Sequence, residues 1–66
     1  MKLKALVEIR DEDFMTQFAK GYPNIPQDEE VEYIKEFNNL YGHYVRVKWN
    51  NTYYDTVWER LEVLHE

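Results

Sequence analysis

Residues 44–57 read YVRVKWNNTYYDTV, which is two alternating segments on either side of the dipeptide Asn50-Asn51. Alternation with a period of two is typical of half-buried strands, and asparagine tolerates the left-handed conformation that a two-residue hairpin turn requires. A turn at this dipeptide places Arg46 opposite Asp55. It also predicts the pairs Trp49–Thr52, Lys48–Tyr53, Val47–Tyr54 and Val45–Thr56. The stretch therefore predicts a β-hairpin with one apolar face.

Two interpretations fit the segment that follows the hairpin. A helix would use the spacing of Val57, Leu61 and Leu64. A strand would use Leu61 and Val63. We favour a break around residues 58–60 followed by a short strand over 61–64, whose acids Glu62 and Glu66 would complement Lys2 and Lys4 of the first strand.

The hairpin and the closing segment Glu59-Arg60-Leu61-Glu62-Val63-Leu64 together resemble the closing strands of small SH3-like barrels. A barrel of that family needs five strands. The two helices predicted below occupy the place of its early strands, so no function of that family is transferred to this chain.

Three further elements are predicted before the hairpin. Residues 3–9 alternate, with Leu3, Ala5, Val7 and Ile9 on one face, and predict a half-buried strand. Residues 11–20 begin with capping acids and continue with the apolar spacing of a short helix, which Gly21 ends. Residues 28–41 place Val31, Ile34, Phe37 and Tyr41 on one stripe and predict a second helix.

The predicted fold is α+β, in the order β-α-α-β-β-β, over a single domain of residues 1–66. A small three- to four-stranded antiparallel sheet would carry the two helices on one face. The chain has no cysteine and 17% aromatic residues. Because so small a domain cannot rely on disulfides here, its large rings are expected to supply much of the core.

The composition offers no catalytic motif. The chain has no serine and no cysteine, and its two glycines are isolated, so a serine or cysteine nucleophile and a glycine-rich phosphate loop are both excluded. His43 and His65 are too few and too far apart for a metal motif. We therefore expect a non-enzymatic protein without a metal or other cofactor. No segment approaches the ~20 apolar residues of a membrane span, and a cytoplasmic location is expected.

The favoured function is a small protein-binding module that acts as an adaptor, inhibitor or accessory protein. Protein interfaces are enriched in tyrosine, tryptophan and arginine, and Tyr44, Arg46 and Tyr53 would share the outer face of the hairpin. The acids Glu29, Glu32 and Glu36 would form a second surface on the predicted helix. Compact acidic proteins of this kind are often encoded by bacteriophages and mobile elements, and we take that origin as a hypothesis.

The alternative function is a nucleic-acid-binding module built on the hairpin, residues 43–54. Tyr44 and Tyr53 would stack on bases, while Arg46 and Lys48 would contact phosphates. The formal net charge of −5 opposes this alternative, because the field of the whole chain repels a polyanion. A homodimer that covers exposed rings is also consistent with the small size, and the sequence does not decide between monomer and dimer.

Overall fold

A computed structural model describes residues 2–10, 21–40 and 42–64 of the chain. It contains one antiparallel sheet with the strand order β4-β3-β2-β1-β5. The strands are β1 (Lys2–Ala5), β2 (Glu30–Asn39), β3 (Gly42–Trp49), β4 (Thr52–Thr56) and β5 (Leu61–Val63), with a 3-10 turn at Trp58–Arg60 between β4 and β5. Within the described ranges, no helix is long and apolar enough to cross a membrane.

The predicted α+β fold is wrong. The described residues contain five strands and no helix beyond the single 3-10 turn. The first predicted helix, over 11–20, lies outside the described residues, whereas the second is directly contradicted because residues 30–39 form β2. Strand β2 therefore occupies the place that was assigned to the second helix.

A β-bulge in β2 explains the error. Tyr33 lies opposite Val47 and Lys35 lies opposite Arg46, so Ile34 is the extra residue. A bulge adds one residue to an alternating strand and reverses its inside–outside pattern from that point. Val31 before the bulge packs in the core, Ile34 is the extra residue, and Phe37 after the bulge lies beside Arg46 on the other side of the sheet. Neighbouring members of this trio are three positions apart, and that spacing imitates the period of a helix.

The prediction of the hairpin is confirmed, including its register. Strands β3 and β4 pair Val45 with Thr56, Arg46 with Asp55, Val47 with Tyr54, Lys48 with Tyr53 and Trp49 with Thr52. Asn50 and Asn51 have φ angles of 52° and 62°, which are the left-handed values that a primed two-residue turn requires.

The predictions for the two ends of the sheet are confirmed in part. β1 ends at Ala5, and Val7, which was expected to face the core, is 42% exposed. The break at 58–60 and the closing strand are present, and β5 pairs with β1 so that Lys4 lies opposite Glu62. The ammonium group of Lys4 nevertheless lies 3.6 Å from the carboxylate of Asp28. Glu66 lies outside the described residues.

The apolar core lies on one side of the sheet. Among the described residues, its members are Leu3, Ala5, Ile9, Ile25, Val31, Val45, Val47, Tyr54 and Leu61. Ile9 and Ile25 exchange two backbone hydrogen bonds, of 2.9 and 2.7 Å, and so attach the connection between β1 and β2 to this core. Polar and aromatic side chains cover the other side of β2, β3 and β4.

Candidate functional site

Six side chains on β2, β3 and β4 form what we call the aromatic–basic face. Because Val45 and Val47 point into the core, the alternation of β3 turns Tyr44, Arg46 and Lys48 to the opposite side. The cross-strand register adds three more residues. These are Lys35 and Phe37 from β2, and Tyr53 from β4.

The rings of this face are packed against its cations. The guanidinium carbon of Arg46 lies 4.9 Å from the centre of the Phe37 ring, and Nζ of Lys35 lies 5.7 Å from the same centre. Nζ of Lys48 lies 5.9 Å from the centre of the Tyr53 ring. The rings of Phe37 and Tyr44 are 6.0 Å apart. These distances are within the range of cation–π attraction and aromatic pairing, so the face is ordered by its own contacts.

Arg46 is anchored by the carboxylate of Asp55, its cross-strand partner on β4. Its Nε donates to Oδ1 of Asp55 at 2.9 Å, and a second nitrogen donates to Oδ2 at 3.4 Å. The Asp55 side chain is fully buried and that of Arg46 is 16% exposed. A two-point arginine–carboxylate contact fixes the orientation of the guanidinium plane. Arg46 therefore positions Phe37 and has its charge balanced within the protein.

Lys35 and Lys48 differ from Arg46 in their ion pairing. Within the described ranges, neither ammonium group lies within 4.0 Å of a carboxylate. By contrast, Lys2 pairs with Glu30 at 3.3 Å and Lys4 pairs with Asp28. Lys48 lies opposite Glu32 across β2 and β3 without forming an ion pair. The face therefore presents two cations whose charges no described carboxylate neutralises at close range.

The structure brings four of the predicted partner-binding residues together and separates the other three. Tyr44, Arg46, Lys48 and Tyr53 share the aromatic–basic face, as expected from the hairpin register. The helix on which the acidic surface was expected is strand β2, and Glu29 lies just before this strand while Glu32 and Glu36 lie within it. Glu29 accepts a hydrogen bond from the Trp49 indole at 3.2 Å, Glu32 lies opposite Lys48, and Glu36 lies opposite Val45.

Lys35 and Phe37 were missed by the sequence analysis because they were placed in the second helix. One signal could have identified them. Val31, Tyr33, Ile34 and Phe37 are β-branched or aromatic residues within ten positions, and such residues favour strands over helices.

A second polar cluster surrounds Glu36. One of its oxygens, Oε2, accepts a hydrogen bond from the Trp58 indole at 3.1 Å and lies 2.8 Å from Nε2 of His43. Nδ1 of His43 lies 2.9 Å from Oδ1 of Asn38. These contacts lower the pKa of Glu36, first through the indole N–H of Trp58 and then through His43, because both stabilise the ionised carboxylate. The Trp58 ring also stacks on Tyr33 at 6.2 Å, so the cluster holds the 3-10 turn against the sheet.

Replacing Glu36 with glutamine is expected to reduce stability more at neutral pH than in acid. A carboxyl group with a lowered pKa in the folded state stabilises that state above its ordinary pKa of 4.5, and this contribution is lost as the pH falls through the folded-state value. The difference in Tm between the wild type and Glu36→Gln should therefore narrow below about pH 4.5. Thermal unfolding followed by circular dichroism from pH 7 to pH 3 measures it.

Glu59→Gln is the control, since Glu59 is an exposed acid of the same 3-10 turn. Its difference from the wild type should stay small throughout. A Tm difference for Glu36→Gln that is constant across the whole pH range would contradict the role given to this carboxylate.

A cleft of about 420 Å³ opens at the end of the sheet beside Lys48. Its walls combine Trp49 and Val31 with charges of both signs, from Lys2, Lys48, Glu30 and Glu32. The volume falls within the range of small-ligand pockets, but the balanced charges do not favour one class of ligand. The part of the chain that the structure describes holds no group of three or more His, Cys, Asp or Glu residues able to bind a metal.

Comparisons with protein-family models, with curated proteins and with solved structures found no match to this chain.

Proposed function

We propose that this protein is a small non-enzymatic protein-binding module that covers part of a partner's surface with its aromatic–basic face. As an adaptor, inhibitor or accessory protein, it would act by occupying that surface. The observation that supports this function is the packing of three rings and three cations on one side of the sheet. Aromatic residues and arginine are enriched at protein interfaces, and side chains that are already ordered lose less entropy on binding.

Nucleic-acid binding is the less well supported alternative. Single-stranded nucleic acids are bound by ring faces that are free to stack on bases. Here the Phe37 ring already has two cations within 6 Å of its centre, and the Tyr53 ring has Lys48 at 5.9 Å. Asp55 balances the charge of Arg46, and the whole chain has a net charge of −5. The local chemistry and the overall field thus both favour a protein partner.

We keep the cytoplasmic location expected from the sequence as part of this proposal. The chain has no cysteine, so its fold does not depend on the disulfides that an oxidising compartment would supply.

Peptides selected from a random display library against the wild-type protein provide the test. Tyr53→Ala is expected to weaken the binding of selected peptides about tenfold, because truncating a hot-spot tyrosine of an interface typically costs more than 1 kcal/mol. Tyr22→Ala is the matched control, since Tyr22 is 59% exposed and lies outside the face. Affinities can be measured by isothermal titration calorimetry, after circular dichroism has confirmed that both variants are folded.

Equal affinities for the wild type and Tyr53→Ala would place the peptide elsewhere and contradict the proposed site. A ten-nucleotide oligothymidylate provides the second arm. Binding of this oligonucleotide that weakens steeply with salt and is lost in Lys48→Glu would favour the nucleic-acid alternative instead.

A further inference from the structure

We infer that the aromatic–basic face recognises a short extended acidic segment of a partner protein, in which two carboxylates on alternate residues contact Lys35 and Lys48. This inference rests on the protein-binding function proposed above and names the chemistry of the partner. Two observations support it. Lys35 and Lys48 have no described carboxylate within 4.0 Å, and their separation matches that of alternate residues in an extended peptide.

Charge complementarity is the first argument. Among the described residues, Lys2, Lys4 and Arg46 each have a carboxylate within 4.0 Å. Lys35 and Lys48 do not, although each lies beside an aromatic ring. A carboxylate from a partner would add a charge-assisted hydrogen bond at each ammonium group without displacing an existing ion pair. The occupant that best fits these two positions is therefore acidic.

The spacing of the two lysines is the second argument. Lys35 lies opposite Arg46 on the neighbouring strand, and Lys48 follows Arg46 by two residues along β3. With a rise of about 3.3 Å per residue and a strand separation of about 4.8 Å, their Cα atoms are roughly 8 Å apart. In an extended peptide, side chains at positions i and i+2 point to the same side and are about 7 Å apart. The flexible lysine side chains can accommodate the remaining difference.

The nearby acids limit the length of the partner's acidic segment. Glu32 lies opposite Lys48 on β2, and Asp55 lies opposite Arg46 on β4. A partner that placed further negative charges across β2 and β3 beside Lys48 would bring one of them close to Glu32, and like charges placed together oppose binding. Two carboxylates are therefore favoured over a continuous polyanion such as a nucleic acid.

The test uses three fluorescein-labelled ten-residue peptides in a glycine–serine background. The first contains Glu-Tyr-Glu, the second Gln-Tyr-Gln, and the third Glu-Glu-Tyr, in which the same acids are adjacent. Fluorescence anisotropy with the full chain is expected to show about tenfold weaker binding of the second peptide, because it lacks both carboxylates. The third peptide should also bind clearly more weakly, because its carboxylates are adjacent and not on alternate residues. Binding of the first peptide should also weaken as salt is raised.

Matched variants locate the contact. Lys35→Gln and Lys48→Gln are each expected to weaken binding of the first peptide about three- to fivefold. Lys4→Gln is the control, because Lys4 is paired with Asp28 at 3.6 Å and lies outside the face. All three variants are exchanges on the protein surface, and thermal unfolding checks that each remains folded.

The outcomes separate this inference from the proposed function. Equal binding of the Glu and Gln peptides, or an equal loss in Lys4→Gln, would overturn the acidic partner. If library peptides without acids still lost affinity in Tyr53→Ala, the proposed function would stand and this inference would fail. If no peptide depended on either Tyr53 or the lysines, both would fail. Tighter binding of an oligothymidylate that is lost in Lys35→Gln and Lys48→Gln would also overturn it.

Discussion

Asp55→Ala is expected to destabilise the protein by about 3–5 kcal/mol, because it would leave the Arg46 guanidinium largely buried without its counter-charge. The Asp55 side chain is fully buried, and both of its oxygens contact Arg46 at 2.9 and 3.4 Å. A domain of this size has a total stability of roughly 3–10 kcal/mol at the usual value per residue. The variant should therefore be largely unfolded at room temperature, and urea titration followed by circular dichroism measures the loss.

Two controls identify the cause of that loss. Glu30→Ala breaks the Lys2–Glu30 ion pair, whose side chains are 64% and 54% exposed, and should change stability by at most about 1 kcal/mol. The double variant Arg46→Leu/Asp55→Leu removes both charges and should recover much of what Asp55→Ala loses. A single Asp55→Ala variant as stable as Glu30→Ala would show that the buried pair does not hold the face together.

Tyr54→Ala is expected to produce the second large effect, a loss of about 3–5 kcal/mol. Among the residues that the structure describes, Tyr54 is the largest fully buried side chain, and it is 1% exposed. Its ring meets the Trp49 ring edge-on at a centre-to-centre distance of 6.1 Å. Its hydroxyl donates to the backbone carbonyl of Pro23. Truncation would open a cavity in the core and also detach the Pro23 connection from the sheet.

Tyr54→Phe separates these two contributions. It keeps the ring and removes only the hydroxyl group, so it should cost about 0.5–1.5 kcal/mol. Urea titration of both variants gives the two losses directly. If Tyr54→Phe were as damaging as Tyr54→Ala, the hydrogen bond to Pro23 would outweigh the packing of the ring, contrary to what we expect from the burial.

The hairpin could be predicted in detail because its signals are local. Alternation over β3 and β4 and a two-residue asparagine turn determine both the faces and the register. Strand β2 could not be predicted in the same way. Its bulge at Ile34 depends on pairing with β3, and in the sequence the apolar residues Val31, Ile34 and Phe37 are three positions apart. The bulge therefore interrupted the two-residue alternation by which a strand is recognised in a sequence.

The same contrast between local signals and strand pairing explains which residues of the candidate site could be predicted. Tyr44, Arg46, Lys48 and Tyr53 belong to the hairpin, so their shared face followed from its register. Lys35 and Phe37 belong to β2, and their place beside Arg46 becomes visible only when β2 is paired with β3. The role of Asp55 as a buried anchor was only half predicted. The register placed it opposite Arg46, but its burial is a property of the folded sheet.

The pairing of β1 with β5 bears on the order in which the chain folds. Leu3 lies opposite Val63, so this pairing must close a loop that runs through nearly the whole chain, and such closure is entropically costly before other contacts exist. The β3–β4 hairpin closes through a two-residue turn and can form within microseconds. We expect the hairpin to act as an early template onto which β2 adds, with β1 and β5 joining last. During synthesis on a ribosome, β1 emerges before the other four strands, but it can pair with both β2 and β5 only after β5 has been synthesised.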